Sequence, residues 1–290
     1  TTIVEDAAGN QSDASDPYVI IVDSIAPDAV TGLLVSDNAS PATGPLADGA
    51  STNDTTPVFS GHAEAGTTVA LYEGATLLGE VLVGPTGEWR IESEAITGEG
   101  EHTLTVVVTD AAGNVSTNNP VFTLNIATLA PAAVSTITAT DNVAPQTGAI
   151  TNGFTNDTTP TFSGTAALGS TVTVYDGSTP LGTTTASAVD GSWSFTPTTP
   201  LDEKTYAIKA TATDAAGNEG PASPVFSLTV DTTAPGPVTD LAINGSKTIG
   251  ITNDDTLTLS GTAEKGSTVT IYNGSTPVAT VTASDADGSW

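Results

Sequence analysis

The sequence predicts an all-β chain of tandem two-sheet sandwich units, and three observations carry that expectation. A ten-residue phrase recurs as TNDTTPVFSG at 52–61, TNDTTPTFSG at 155–164 and TNDDTLTLSG at 252–261. A second phrase, DAAGN, begins at Asp6, Asp110 and Asp214, so successive copies lie 104 residues apart, a domain-sized period far longer than one solenoid turn. Within each period apolar residues alternate with polar ones at every second position, the mark of a half-buried strand, and no segment shows a helical period.

The strands follow in order along each unit. An opening strand follows the Ala-Pro pairs that end at Pro27, Pro131 and Pro235. The TPxFSG stretch carries Phe59, Phe162 and Leu259, and the TVTVY-like stretch ends at Tyr72, Tyr175 and Tyr272. A weak strand near Leu181 and a stretch holding Trp89 or Trp193 come next. Before DAAGN, His102, Leu104, Val106 and Val108 match Tyr206, Ile208, Ala210 and Ala212 on one inward face. The last strand sets Phe122, Leu124 and Ile126 in register with Phe226, Leu228 and Val230, and with Tyr18, Ile20 and Val22. About seven short strands per unit with turn signals between them is the pattern of an immunoglobulin-like sandwich.

Alignment of the phrases divides the chain into the closing strands of one unit at 1–22, complete units at 23–126 and 127–230, and the opening part of another at 231–290. The joints read VDSIAP, IATLAP and VDTTAP. Proline fixes its own φ and biases its predecessor toward extended geometry, so short, stiff joints and an elongated rod are expected. Residues corresponding to 194–208 occur in neither end piece, which favours a window on a longer array over strand exchange between chains.

Composition narrows the partners. The 33 acidic residues against 5 basic ones give a formal charge of −28, which excludes nucleic acid and anionic membrane as natural partners. Such an excess repels itself wherever units meet, and calls for a cation there. The chain has no cysteine, which removes disulfides and thiolate chemistry, and no run long enough to span a bilayer. Residues 1–22 contain no basic segment followed by an apolar one, so a targeting signal is expected outside this segment.

Taken together, the TxAP joint, the TNDTTPxFSG strand, the GSW turn and the TDAAGN loop resemble the bacterial Ig-like repeats of giant type I-secreted adhesins, of the SiiE and Bap kind. The resemblance covers the whole chain. It implies rods of tandem Ig-like domains at the bacterial cell surface, with calcium at or near the domain junctions, serving host-cell adhesion or biofilm cohesion. A monomer whose partners are its own neighbouring repeats is expected.

In an Ig-like unit the loop between the last two strands lies at the end that meets the preceding unit. That topology gathers Asp23 from the joint, Glu64 from the loop after TPxFSG, and Asp110 and Asn114 from DAAGN. Oxygen groups from several loops, with no histidine or cysteine, suit Ca²⁺ and not zinc. Asp231 with Glu264 repeats the first pair, whereas the middle unit has Ala127 and Ala167 at these positions. The expectation is a calcium site at the junctions before 24 and before 232, and none, or one with other ligands, before 128. Two carboxylates about 4 Å apart repel by roughly 4 kcal/mol at a surface effective dielectric near 20, and a divalent cation reverses that sign.

Asp214 and Asn218 persist in the middle unit, so DAAGN has a task independent of the joint acid. Either the loop is a turn in which Gly takes a positive φ and Asp bonds backbone, or its Asp ligates directly. A second acidic group, Asp37 with Asp54 and Asp141 with Asp157, flanks the connection into TPxFSG at the opposite end of each unit. These four either add ligands toward the next unit or form Asx-turns in a solvated loop. The partial unit has Gly245 at the first of these positions.

Other readings are weaker on the same residues. His102 occupies a Tyr206 position and belongs to a core or corner, while His62 aligns with Thr165 and Thr262 and should face solvent. Acid pairs for glycoside hydrolysis lack the aromatic cleft such an enzyme needs, at an aromatic content of 5%, and no enzyme is expected. Trp89, Trp193 and Trp290 recur at strand register, which favours core packing over stacking on sugars. A unit that binds host glycans or receptors directly is the alternative function.

Overall fold

The computed structural model describes residues 1–247, 251 and 253–290, so Thr252, which opens the third copy of the long phrase, lies outside the described residues. The first complete unit contains, in order, β1 (Thr31–Asp37), β2 (Gly44–Leu46), β3 (Ala50–Thr52), β4 (Val58–His62), β5 (Thr68–Glu73), β6 (Thr76–Leu82), β7 (Glu88–Glu92), β8 (Gly100–Thr109) and β9 (Val121–Ile126). One sheet has the order β2-β1-β4-β7 and the other β3-β9-β8-β5-β6. The second unit repeats this order from β10 (Thr138–Asp141) to β18 (Phe226–Val230). The chain is thus a tandem of Ig-like β-sandwiches.

Seven of these strands are those the apolar alternation announces. The other two, β2 and β3, are three-residue pieces inside the connection between β1 and β4. They exist because that connection crosses from one sheet to the other: β2 pairs antiparallel with β1, and β3 pairs parallel with β9. The two-residue turn between β5 and β6 needs its first central residue at positive φ, and Gly74 supplies it at +56°.

The core lies between the two sheets. Phe59, Leu71, Leu104, Val106, Val108, Leu124 and Ile126 are buried in one unit, and Phe162, Val172, Val174, Ile208, Leu228 and Val230 in the next. Phe59 meets the ring of Phe122 edge to face at 6.2 Å. Trp89 and Trp193 are each only 4% exposed. Their indoles lie close against the strand partners Gly61 and Gly164, and a β-carbon on Gly164 would stand 3.0 Å from the Trp193 ring. The FSG glycine is therefore the space the tryptophan needs. Direct sugar stacking on these rings has no exposed face to use.

The corner before the long strand β8 of the first unit, and before its counterpart β17 (Lys204–Thr213), differs between units. Tyr206 donates its hydroxyl to the carbonyl oxygen of Asp202 at 3.0 Å, a tyrosine corner. His102 takes this place in the first unit, with Nε2 3.3 Å from Gly98 O and Nδ1 2.6 Å from Glu73 Oε1. Its corner role matches the sequence expectation, and His62 is exposed, as expected.

The end pieces depart from the simple alignment. Tyr18, Ile20 and Val22, expected to form an inward strand face, are 75–87% exposed and belong to no strand. Strands β9 and β18 are held between neighbours on both sides, whereas residues 18–22 have no strand beside them to pair with. The last piece contains β19 (Thr239–Ile243) paired with β20 (Leu259–Thr262), and β21 (Thr268–Asn273) paired with β22 (Thr276–Thr282).

Candidate metal centres at the unit junctions

The DAAGN loop has one geometry in all three copies. Asp110 Oδ1 accepts the N–H groups of Ala112 at 2.9 Å and Asn114 at 2.8 Å, and Oδ2 accepts Asn114 Nδ2 at 2.7 Å. Asp214 makes the same three bonds to Ala216 and Asn218, and Asp6 to Ala8 and Asn10. The copy at Asp6 does so without a surrounding sandwich, so the loop is encoded locally. The hydrogen bond from the Asn114 side chain, with those from the Asn114 and Ala112 backbone, outweighs the cost of burial and holds the Asp110 carboxyl below its ordinary pKa. This is the turn that Gly at positive φ and a capping Asp produce.

The same loop reaches the joint. Asn114 Nδ2 donates to the main-chain oxygen of Asp23 at 3.2 Å, and Asn218 Nδ2 to that of Ala127 at 2.7 Å. Asp110 and Asn114 therefore stand beside Asp23, as the topology requires. Within the joints, Asp23 Oδ1 accepts the Ile25 N–H and Asp231 Oδ1 the Thr233 N–H, each at 3.0 Å. Glu64 and Glu264 are exposed, and their main-chain oxygens close the turns to Thr67 and Ser267. Among the described residues no three histidine or acid side chains form a metal-holding group.

The second acidic group is placed differently from expectation. Asp37, Asp54, Asp141 and Asp157 do form Asx-turns, accepting the N–H groups of Ala39, Thr56, Val143 and Thr159 at 2.7–2.8 Å. The loop is not solvated there, however, because all four are buried. A threonine binds each pair together: Thr155 Oγ1 donates to Asp141 Oδ2 at 2.6 Å and accepts the Asp157 N–H at 3.0 Å, and Thr52 serves Asp37 and Asp54 likewise. Asn142 N–H donates to Asp157 Oδ2 at 3.1 Å and closes the knot. The hydrogen bonds compensating these buried carboxylates come from neutral donors.

Asp141 and Asp231 line one cavity of about 450 Å³ at the end of the second unit, together with Thr155, Asn156, Thr232 and Thr233. These six residues carry side-chain oxygens of the kind that hard cations take, while Pro145, Phe154, Ala234 and Pro235 make much of the remaining wall apolar. At the preceding junction Ala127 stands where Asp231 would be. Sequence reasoning missed one acid at each of the joints before 128 and before 232. Glu203 accepts the Thr232 N–H at 2.8 Å and the hydroxyls of Thr232 and Thr233, and Glu99 accepts the N–H and hydroxyl of Thr128. The Thr232 hydroxyl is foremost in lowering the Glu203 pKa. The signal was present, since Glu99 and Glu203 recur 104 residues apart.

Two-sheet units of this strand order, joined end to end through short proline joints and closed by carboxylate-capped loops, define a class of tandem Ig-like modules. The chain belongs to the bacterial Ig-like domain family, whose model matches residues 30–128 and 133–232. No curated protein matches the sequence. Among solved structures, the BSP domain of a biofilm-associated protein is similar at 24% identity and a TM-score of 0.27, over 65% of this chain and 30% of that one. This chain thus spans under a third of that structure. A tetra-tandem repeat from the extending region of a large adhesion protein is 21% identical, with a TM-score of 0.28, over 99% and 81% of the two chains. A Ca²⁺-stabilized adhesin with which an Antarctic bacterium binds ice is 26% identical, with a TM-score of 0.38, over 99% and 71%.

Proposed function

We propose that this chain is an extender segment of a giant bacterial surface adhesin, a run of Ig-like units that holds a binding region away from the cell. In this reading the protein is secreted by a type I route, acts in host-cell adhesion or biofilm formation, works as a monomer along its own repeats, and is not an enzyme. Calcium at the junctions entered by Asp23 and Asp231 stiffens the rod.

The observation that carries the calcium part is that Asp141 and Asp231 line one cavity. Asp141 and Asp231 bring two carboxylates to that cavity, and the hydrogen bonds they accept come from neutral donors, so a cation there would have no positive side chain to displace. Asp23, Ala127 and Asp231 share one register and Ala127 alone lacks a carboxylate, so the calcium sites are unequal along the array. Extracellular modules bind Ca²⁺ at about 10⁻⁴–10⁻³ M, a range in which ambient calcium sets stiffness.

Calorimetric titration of the chain with Ca²⁺ tests the assignment. The wild type should bind, Asp231→Ala should lose the equivalent at its junction, and Asp23→Ala the one at the other. An isotherm unchanged by Asp231→Ala contradicts the site. Direct recognition of glycans or receptors by these units is the alternative, and the burial of Trp89 and Trp193 weighs against its most direct form.

A further inference from the structure

We infer that the junction between units 23–126 and 127–230 is a packed joint that needs no calcium, in which the Ala215–Gly217 turn docks on Pro41 and Ala42 of the preceding unit. The inference rests on the calcium reading only for its contrast with the junction at Asp231.

The first observation is burial. Ala216 is 2% exposed, whereas Ala112, the same residue of the same loop in the upstream unit, is exposed. Both loops have the same internal hydrogen bonds, so the difference comes from what lies against Ala216. The second observation is direct approach. A β-carbon on Gly217 would lie 3.0 Å from Ala42 Cβ and 3.4 Å from Pro41 Cγ, atoms of the other unit. A small cavity of about 190 Å³ beside this contact is walled by Ala42, Pro45 and Ser51 on one side and by Ala215 and Ala216 on the other.

The third observation is how the loop is tied down on its own side. Asn218 Nδ2 holds the Ala127 carbonyl, and a β-carbon on Gly220 would stand 2.3 Å from the Pro131 carbonyl oxygen, so the segment after the loop lies directly on the proline joint. Asp37 is the one carboxylate on the cavity wall, and its oxygens are taken by the Ala39 N–H and by Thr52. The contact is thus apolar and close, made of alanine, glycine and proline. An ion-bridged joint needs facing carboxylates, and here the joint carboxylate is replaced by Ala127. This gives DAAGN the task that its persistence in the middle unit required.

Electron–electron distance measurements test the joint in the whole chain. The absence of cysteine lets spin labels be placed at Glu80→Cys and Thr183→Cys, exposed and equivalent positions of the two units. The distance distribution should be narrow and the same in Ca²⁺ and in chelator. Ala216→Arg or Ala42→Arg should broaden it about twofold in both conditions, since units without a sizeable interface move independently by default. Ala112→Arg, at the exposed copy, should leave it unchanged and shows that the loop tolerates the side chain. Broadening on chelation in the wild type, or a narrow distribution in Ala216→Arg with the melting profile retained, overturns the inference. Failure of calcium to bind at Asp231 in the calorimetric titration would remove the calcium reading and leave this result standing.

Discussion

Asn218 hydrogen-bonds the main-chain oxygen of Ala127 at 2.7 Å across 91 residues of sequence, and at the same time holds Asp214 Oδ2 at 2.9 Å. One side-chain amide thus links the capped turn to the joint. Asn218→Ala should loosen the joint by about 0.5–1.5 kcal/mol, the usual net worth of such a bond, with faster amide exchange at Thr128 as the readout. Asn218→Asp should cost more, because a carboxylate cannot donate to either acceptor and repels Asp214.

The threonine that ties each buried acid pair is the next test. Thr155→Val keeps the shape but removes the donor to Asp141 and the acceptor for the Asp157 N–H. A buried polar group left without its partner costs about 1–3 kcal/mol, so the second unit should melt earlier by that measure, and Thr155→Ser should restore most of the loss.

Trp193 and Gly164 behave as one packing element. Trp193→Ala should destabilise the unit by about 3–5 kcal/mol, as large aromatic truncations in cores do. Gly164→Ala should also destabilise it, since the added carbon meets the indole at 3.0 Å. Urea unfolding followed by far-ultraviolet dichroism measures both. Equal stability of wild type and Gly164→Ala would contradict the packing.

Acid should act on the loops before the sheets. Asp110 has its pKa lowered chiefly by the Asn114 side chain, and Glu203 chiefly by the Thr232 hydroxyl. A carboxyl with a depressed folded-state pKa contributes stability that is present above its unfolded value, near 4, and lost as pH falls through the folded value. Protection of the Asn114 and Thr232 amides, taken relative to their intrinsic exchange rate at each pH, should therefore be flat from neutral pH down to about 4 and fall below it. Protection that falls already near neutrality would contradict the assignment.

Placing the missing acid should create a site. Ala127→Asp restores the residue that Asp231 represents, next to Glu99, which already holds Thr128. Calorimetry should then show one further equivalent of bound Ca²⁺, and an unchanged stoichiometry would show that the joint acid is not the deciding ligand.

The sandwich was legible because burial of one strand face leaves a period of two, and because the same phrases recur in register. Strands β2 and β3 were not, since three residues are too few to show any period. The DAAGN turn was legible from Asp, Gly and Asn chemistry, which is local. Burial of Asp37 and Asp141 was not, because acids read as solvated until the sheet crossing that encloses them is known. Glu99 and Glu203 repeat in register but belong to no phrase, and only the fold brings them to the joint threonines. Residues 18–22 show the converse: their alternation is strand-like, yet without a strand on either side they remain unpaired.

Small-angle scattering of the chain in Ca²⁺ and in chelator tests the central claim, that calcium stiffens the acidic junctions, most directly. The maximum dimension should be larger in calcium and shrink on chelation, and this change should be absent in Asp231→Ala combined with Asp23→Ala. Superimposable wild-type profiles in the two conditions would contradict it.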